Sequence, residues 1–91
     1  MKKLVWTSKF LKSSEKFLKN NPELINLYKE KIKLIEEDPY HISLKTHKLK
    51  GRLSGFYSAS INFDYRIVFQ IDDDANGSII LHNIGSHDEV Y

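Results

Sequence analysis

An α+β domain is what this 91-residue chain predicts. Three observations carry it: a short strand-forming run at the N-terminus, two consecutive stretches with helical apolar spacing, and three later stretches with strand character. The expected order is strand, helix, helix, strand, strand, strand. The two-helix hairpin should pack on one face of a mainly antiparallel sheet. Residues 1–91 suit a single domain with one modest core.

Leu4-Val5-Trp6 is rich in strand formers and stops at Thr7-Ser8, either of which can cap a following helix. From Ser8 to Asn20, Phe10, Leu11, Phe17 and Leu18 recur on one helical face while lysines occupy much of the other. Asn20-Asn21-Pro22 interrupts the pattern; Asn21 as cap and Pro22 in the first turn then start a second helix. Its stripe is Leu24, Ile25, Tyr28, Ile32 and Ile35, and it ends at Asp38 because a residue before proline disfavours helical geometry.

A loop from Tyr40 to Ser54 follows, longer than most connections in compact domains and therefore a functional candidate. Next, Tyr57, Ala59, Ile61 and Phe63 alternate with Ser58, Ser60 and Asn62, the period of a strand with one buried and one wet face. In the strand after it, Tyr65, Ile67, Phe69 and Ile71 share one side, and Arg66, Val68 and Gln70 the other. Asp72 to Gly77 supplies a turn, with Asn76-Gly77 able to take positive backbone angles. Ser78 to Ile84 is the last strand, and Gly85 can turn the chain into a short tail. The face opposite the helices should be partly open, with Arg66 beside Ser58 or Ser60 and the long loop and tail at its margins.

Without cysteine, disulfides and thiolate zinc sites are excluded, which is compatible with a cytoplasmic location. No segment reads as a signal peptide or a membrane span. Net charge is +2 but unevenly spread: residues 1–52 carry thirteen Lys/Arg against six Asp/Glu, and residues 53–91 one Arg against six acids. Lys45, Lys48, Lys50 and Arg52 form an acid-free cluster in the loop, suited to RNA phosphates.

Three clusters carry chemistry: Thr46-His47-Lys48-Leu49-Lys50-Gly51, Asp64-Tyr65-Arg66-Ile67-Val68-Phe69 and Gly85-Ser86-His87-Asp88-Glu89-Val90-Tyr91. With the element order and Gly55-Phe56-Tyr57, they give a chain that resembles the RelE/ParE superfamily of toxins from toxin–antitoxin systems over nearly its whole length. Within it, the RelE, YoeB and YafQ nucleases are the nearer likeness. The resemblance implies a cytoplasmic toxin that cuts mRNA on the ribosome without a metal or other cofactor. It also implies inhibition by an antitoxin from an adjacent gene, with operator DNA contacted only through that antitoxin.

Position by position, His47 falls where YafQ-like toxins have a catalytic histidine and YoeB-like toxins a glutamate. Asp64 matches a YafQ-like catalytic aspartate, Arg66 the arginine of the RelE and YoeB types, and His87 the C-terminal histidine of the YafQ and YoeB types. Tyr91 matches a terminal aromatic residue that contacts a base. Ser60 stands where the YafQ type has a further histidine, so the implied site is mixed.

RNA cleavage of this kind needs a base for the 2′-hydroxyl, an acid for the departing 5′-oxygen and a donor for charge on the phosphate. Histidine, with an ordinary pKa of roughly 6.5, serves either proton transfer near neutrality. His87 is the preferred acid, His47 or Asp64 the base, and Arg66 the phosphate donor; the reverse acid–base assignment stays open. The alternatives are a non-enzymatic ParE-like gyrase poison and a catalytically inactive interaction protein. His82 reads as a structural histidine beside Ile80 and Ile84, and His41 as loop surface. Asp72-Asp73-Asp74 lacks calcium-loop spacing, and no paired-histidine spacing supports zinc binding by His47, Asp64 and His87.

Overall fold

The computed structural model describes residues 2–73 and 77–91. Strand β1 (Lys3–Trp6) leads into helix α1 (Ser8–Asn20), and Thr7 caps it by accepting a hydrogen bond from the Phe10 amide. A 3-10 turn at Pro22–Leu24 separates α1 from α2 (Ile25–Glu37). Asn21 makes no side-chain cap for the second helix as its sequence position suggested; its Nδ2 donates back to the Phe17 carbonyl and closes the first helix instead. The two helices pack side by side through Phe17 against Tyr28 and through the Tyr28 hydroxyl, which donates to Ser14 Oγ.

The sheet has five strands in the order β1-β5-β4-β3-β2, with β2 (His47–Lys48), β3 (Tyr57–Ser60), β4 (Tyr65–Asp72) and β5 (Ser78–Ser86). β1 runs parallel to β5, and the other neighbours are antiparallel. Phe10, Phe17, Tyr28, Ile32 and Ile35 from the helices meet Ala59, Ile67, Phe69, Ile79, Leu81 and Ile84 from the sheet in one core. Each Ile, Leu or Phe side chain among them contributes roughly 1.5–3 kcal/mol when fully buried. Leu11 lies off the buried face of α1 and is exposed, although it is adjacent to Phe10 in the sequence. Among the described residues, no helix is long and apolar enough to cross a membrane.

The long loop is more ordered than its sequence implies. Leu44 is fully buried within a 3-10 turn, Ile42–Leu44, and pins the segment to the core. Lys45 then takes a left-handed backbone (φ 51°), which turns the chain into β2. β3 is shorter than its alternation suggests: it stops at Ser60, and Asn62 Oδ1 accepts from the amides of Asp64 and Tyr65 to form a side-chain-locked turn. Phe63, expected on the buried face, therefore stands at the turn tip, 92% exposed.

A bulge in the β4–β5 ladder corrects a second expectation. The register pairs Val68 with Asn83 but Phe69 with Leu81, so His82 is the extra residue. Ile84 consequently enters the core, while His82 is on the side of Ile80 and hydrogen-bonds Gln70 Oε1 at 2.7 Å. Its ring also meets Phe56, centroid to centroid 4.7 Å, and burial, then nearby Lys9, pushes its pKa down. Asp74 and Asn76, on which the expected β4–β5 turn and the rejected calcium loop partly rested, lie outside the described residues.

The tail forms a further helix, α3 (His87–Val90), with a capping box in which Ser86 and Glu89 exchange side-chain-to-backbone hydrogen bonds. Gly85 eases that closure: a Cβ there would sit 3.1 Å from the Glu89 side chain, which would have to shift by a few tenths of an ångström. Val90 is buried, so α3 lies over part of the sheet face opposite the two long helices.

Candidate functional site

Sheet register decides which side chains meet. Directly paired residues of antiparallel strands project to the same face. His47 pairs with Ser58 and Ser58 with Val68, making one cross-strand row; Ser60 pairs with Arg66 and Arg66 with Gly85, making another two positions along. His47 of the basic loop and Arg66 of β4, distant in sequence, thus share the face that α3 partly covers.

The tail joins them through one bond. The Tyr91 hydroxyl donates to Ser58 Oγ, so the terminal residue is tied to the middle of the His47 row. The Tyr91 ring stands edge-on to His87 with centroids 4.5 Å apart, and Arg52 Nη2 donates to the Tyr91 carbonyl at 2.7 Å. Ser58 is completely buried, contrary to the wet face its alternation implied, because the tail covers it. Ser58 had no chemical signature of its own. Only the coming together of Tyr91 and the β3 centre reveals its role.

His47 is exposed, with Nδ1 at 3.2 Å from the Lys45 carbonyl. A carbonyl only accepts, so Nδ1 carries the proton in that contact and the neutral ring presents Nε2 as a proton acceptor. His87 is also exposed; Asp88 Oδ1 is 3.5 Å from its Nδ1, and the contact is open to solvent. Arg66 is anchored at one end: Nη1 donates to the carbonyls of Asn62, Phe63 and Tyr65 at 2.8, 3.2 and 3.1 Å. That leaves Nη2 and Nε without a hydrogen bond among the described residues, in the fork that suits phosphate.

Asp64 lies exposed in the same β3–β4 turn, with its amide donating to Asn62 Oδ1. The arginine is held by the backbone carbonyls of Asn62, Phe63 and Tyr65 rather than by this acid. Lys45, Lys48, Lys50 and Arg52 are all exposed around β2 and the 3-10 turn at Gly51–Leu53, leaving the loop's basic character facing solvent. Ser60, by contrast, donates to the Asn62 carbonyl at 2.8 Å and helps build the turn that holds Arg66. No group of three or more His, Asp or Glu residues poised to hold a metal occurs among the described residues.

The family model described as bacterial toxin of type II toxin-antitoxin system, YafQ, matches residues 2–91. The chain belongs to that family. This YafQ-family toxin is 37% identical over 57 residues to the toxin YoeB of Synechocystis sp. (strain ATCC 27184 / PCC 6803 / Kazusa), an overlap of 63% of the chain and 66% of that relative's length. A metal-bound toxin from Helicobacter pylori is 33% identical with a TM-score of 0.78, each chain covered completely. The YoeB–YefM complex from Staphylococcus aureus matches at 25% identity and a TM-score of 0.72, over 96% of this chain and 98% of that one. The fold and RelE/YoeB/YafQ-type membership expected from the sequence are thereby both confirmed.

Proposed function

We propose that this YafQ-family toxin is a ribosome-dependent mRNA endonuclease that needs no metal. The observation carrying this reading is the Tyr91–Ser58 bond, which brings the His87 tail onto the face shared by His47 and Arg66.

In the proposed reaction, His47 Nε2 takes the 2′-hydroxyl proton as that oxygen attacks the neighbouring phosphorus. His87 gives a proton to the 5′-oxygen as the phosphorus–oxygen bond breaks. The products are a 2′,3′-cyclic phosphate and a 5′-hydroxyl, and the two histidines finish in exchanged protonation states. The Lys45 carbonyl supports His47 as base by holding the proton on Nδ1; Asp64, at the mouth of the site, is the alternative base. The open donors of Arg66 suit the charge that grows on the phosphate oxygens. Lys45, Lys48 and Lys50 hold flanking phosphates, Arg52 combines that role with fixing the tail, and Tyr91 orients His87 and offers its ring edge to a base.

The partner of the free toxin is mRNA on the ribosome, and its inhibitor is a cognate antitoxin from an adjacent gene. The S. aureus relative solved as a YoeB–YefM complex supports an antitoxin partner. Contact with operator DNA falls to the antitoxin, and the compartment is the cytoplasm.

Purified toxin added to a translating extract should cleave message and leave cyclic-phosphate or 3′-phosphate ends with 5′-hydroxyls. Intact message with folded toxin, together with inhibition in a gyrase supercoiling assay, would instead identify a ParE-like poison.

A further inference from the structure

Phe63 is the most exposed large apolar side chain among those described, at 92%, and it borders the site. Leaving a phenylalanine in water forgoes the stabilisation that burying it would bring. Trp6 and Tyr40, the other exposed aromatic residues, lean on Phe10 and Tyr57, whereas Phe63 has no ring partner among the described residues. Both faces of its ring are therefore open to a flat ligand.

Its backbone, in contrast, is fixed. Asn62 Oδ1 ties the amides of Asp64 and Tyr65, the Ile61 amide donates to the Tyr65 carbonyl at 3.0 Å, and buried Ile61 anchors the base of the turn. The Phe63 carbonyl itself accepts from Arg66 Nη1 at 3.2 Å. An open aromatic ring is thus held three positions before, and one hydrogen bond away from, the arginine assigned to the phosphate. Asp64 beside it repels phosphate, which favours a base over the sugar–phosphate backbone at the tip.

We propose that Phe63 is a nucleobase-stacking platform, taking the base of a nucleotide that flanks the phosphate held by Arg66. The inference rests on the RNA-cleaving reading above and extends it to a binding residue that the family match does not assign. Stacking tolerates every base, so Phe63 supplies affinity and register rather than sequence choice.

The test uses Phe63→Ala, Phe63→Leu and Phe63→Trp in the full chain. All three should melt as the wild type does, because the ring packs on nothing. In single-turnover cleavage, Ala and Leu should raise the half-saturating concentration of programmed ribosomes about five- to 150-fold, the range for one stacked base. The maximal rate should hold, and Trp should stay near wild type. A 2-aminopurine-substituted RNA blocked by a 2′-deoxy nucleotide supplies a readout without chemistry: the wild type and Phe63→Trp should quench it on binding, and Phe63→Ala should not. Quenching without any cleavage would sink the nuclease reading and keep the platform. Cleavage with unchanged half-saturation in Phe63→Ala, or full rescue by Phe63→Leu, would overturn the platform. So would a loss confined to antitoxin affinity, which would make Phe63 a protein contact.

Discussion

The hydroxyl of Tyr91 donates a hydrogen bond to Ser58 Oγ, tying the last residue of the chain to the buried centre of β3. Through that bond the tail becomes part of the sheet face, and His87, in ring contact with Tyr91, is carried with it.

Tyr91→Phe keeps the ring and removes the donor. It should destabilise the protein by about 1–3 kcal/mol, the cost of leaving a buried polar group unpaired. Misplacing His87 should also slow cleavage, by up to about 100-fold. Ser58→Ala breaks the same bond, so the double variant should lose less stability than the two single losses combined. Denaturant melts of the four proteins check this; strict additivity would mean that the hydroxyl and Ser58 act separately.

Glu89 closes the capping box of α3 and pairs with Lys16 at 3.3 Å. Its pKa is held below the ordinary value of 4.5, first by the hydrogen bond from the Ser86 backbone. A carboxylate whose folded pKa is lowered stabilises the fold above its ordinary value and loses that contribution as pH falls through the folded one. The difference in melting temperature between wild type and Glu89→Gln should accordingly be full near neutrality and shrink below about pH 4.5. Glu89→Ala should expose the α3 amides to faster hydrogen exchange; unchanged exchange would show that the box does not hold the tail.

Lys48→Ala combined with Lys50→Ala should weaken RNA association while leaving the single-turnover rate at saturation intact. The slope of log affinity against log salt should flatten by roughly one to two units, as expected for two lost phosphate contacts. An unchanged slope would reassign both lysines to solvated surface.

The architecture was legible in the sequence because Phe10, Phe17, Tyr28, Ile32 and Ile35 obey helical spacing, and Ile67 and Phe69 obey strand spacing. All are buried where that spacing puts them. Three features were not legible. β2 spans only two residues and is defined by pairing with β3, a contact that local periodicity does not encode. The single extra residue at His82 reverses which side Ile84 faces, and a bulge leaves no compositional mark. Ser58 and Phe63 exchanged their expected environments because the tail covers one and the Asn62 turn ejects the other. His47, Arg66 and His87 could be put forward as candidates from the family resemblance and their chemistry, but their shared face follows only from register and from the Tyr91 bond.

Chelation supplies an independent check on the chemistry. With both proton transfers assigned to side chains, cleavage in a purified system should survive selective removal of transition metals from the toxin before it meets the ribosome. Loss of activity restored by one added divalent metal would replace the histidine mechanism with a metal-assisted one.

The most direct measurement is the single-turnover cleavage rate of His87→Gln on programmed ribosomes, with binding measured separately. Glutamine keeps a polar side chain at this exposed position but cannot shuttle a proton. The account predicts a folded protein that binds ribosomes as the wild type does and cleaves roughly 10²–10⁴-fold more slowly. A folded His87→Gln protein cleaving at the wild-type rate would contradict it.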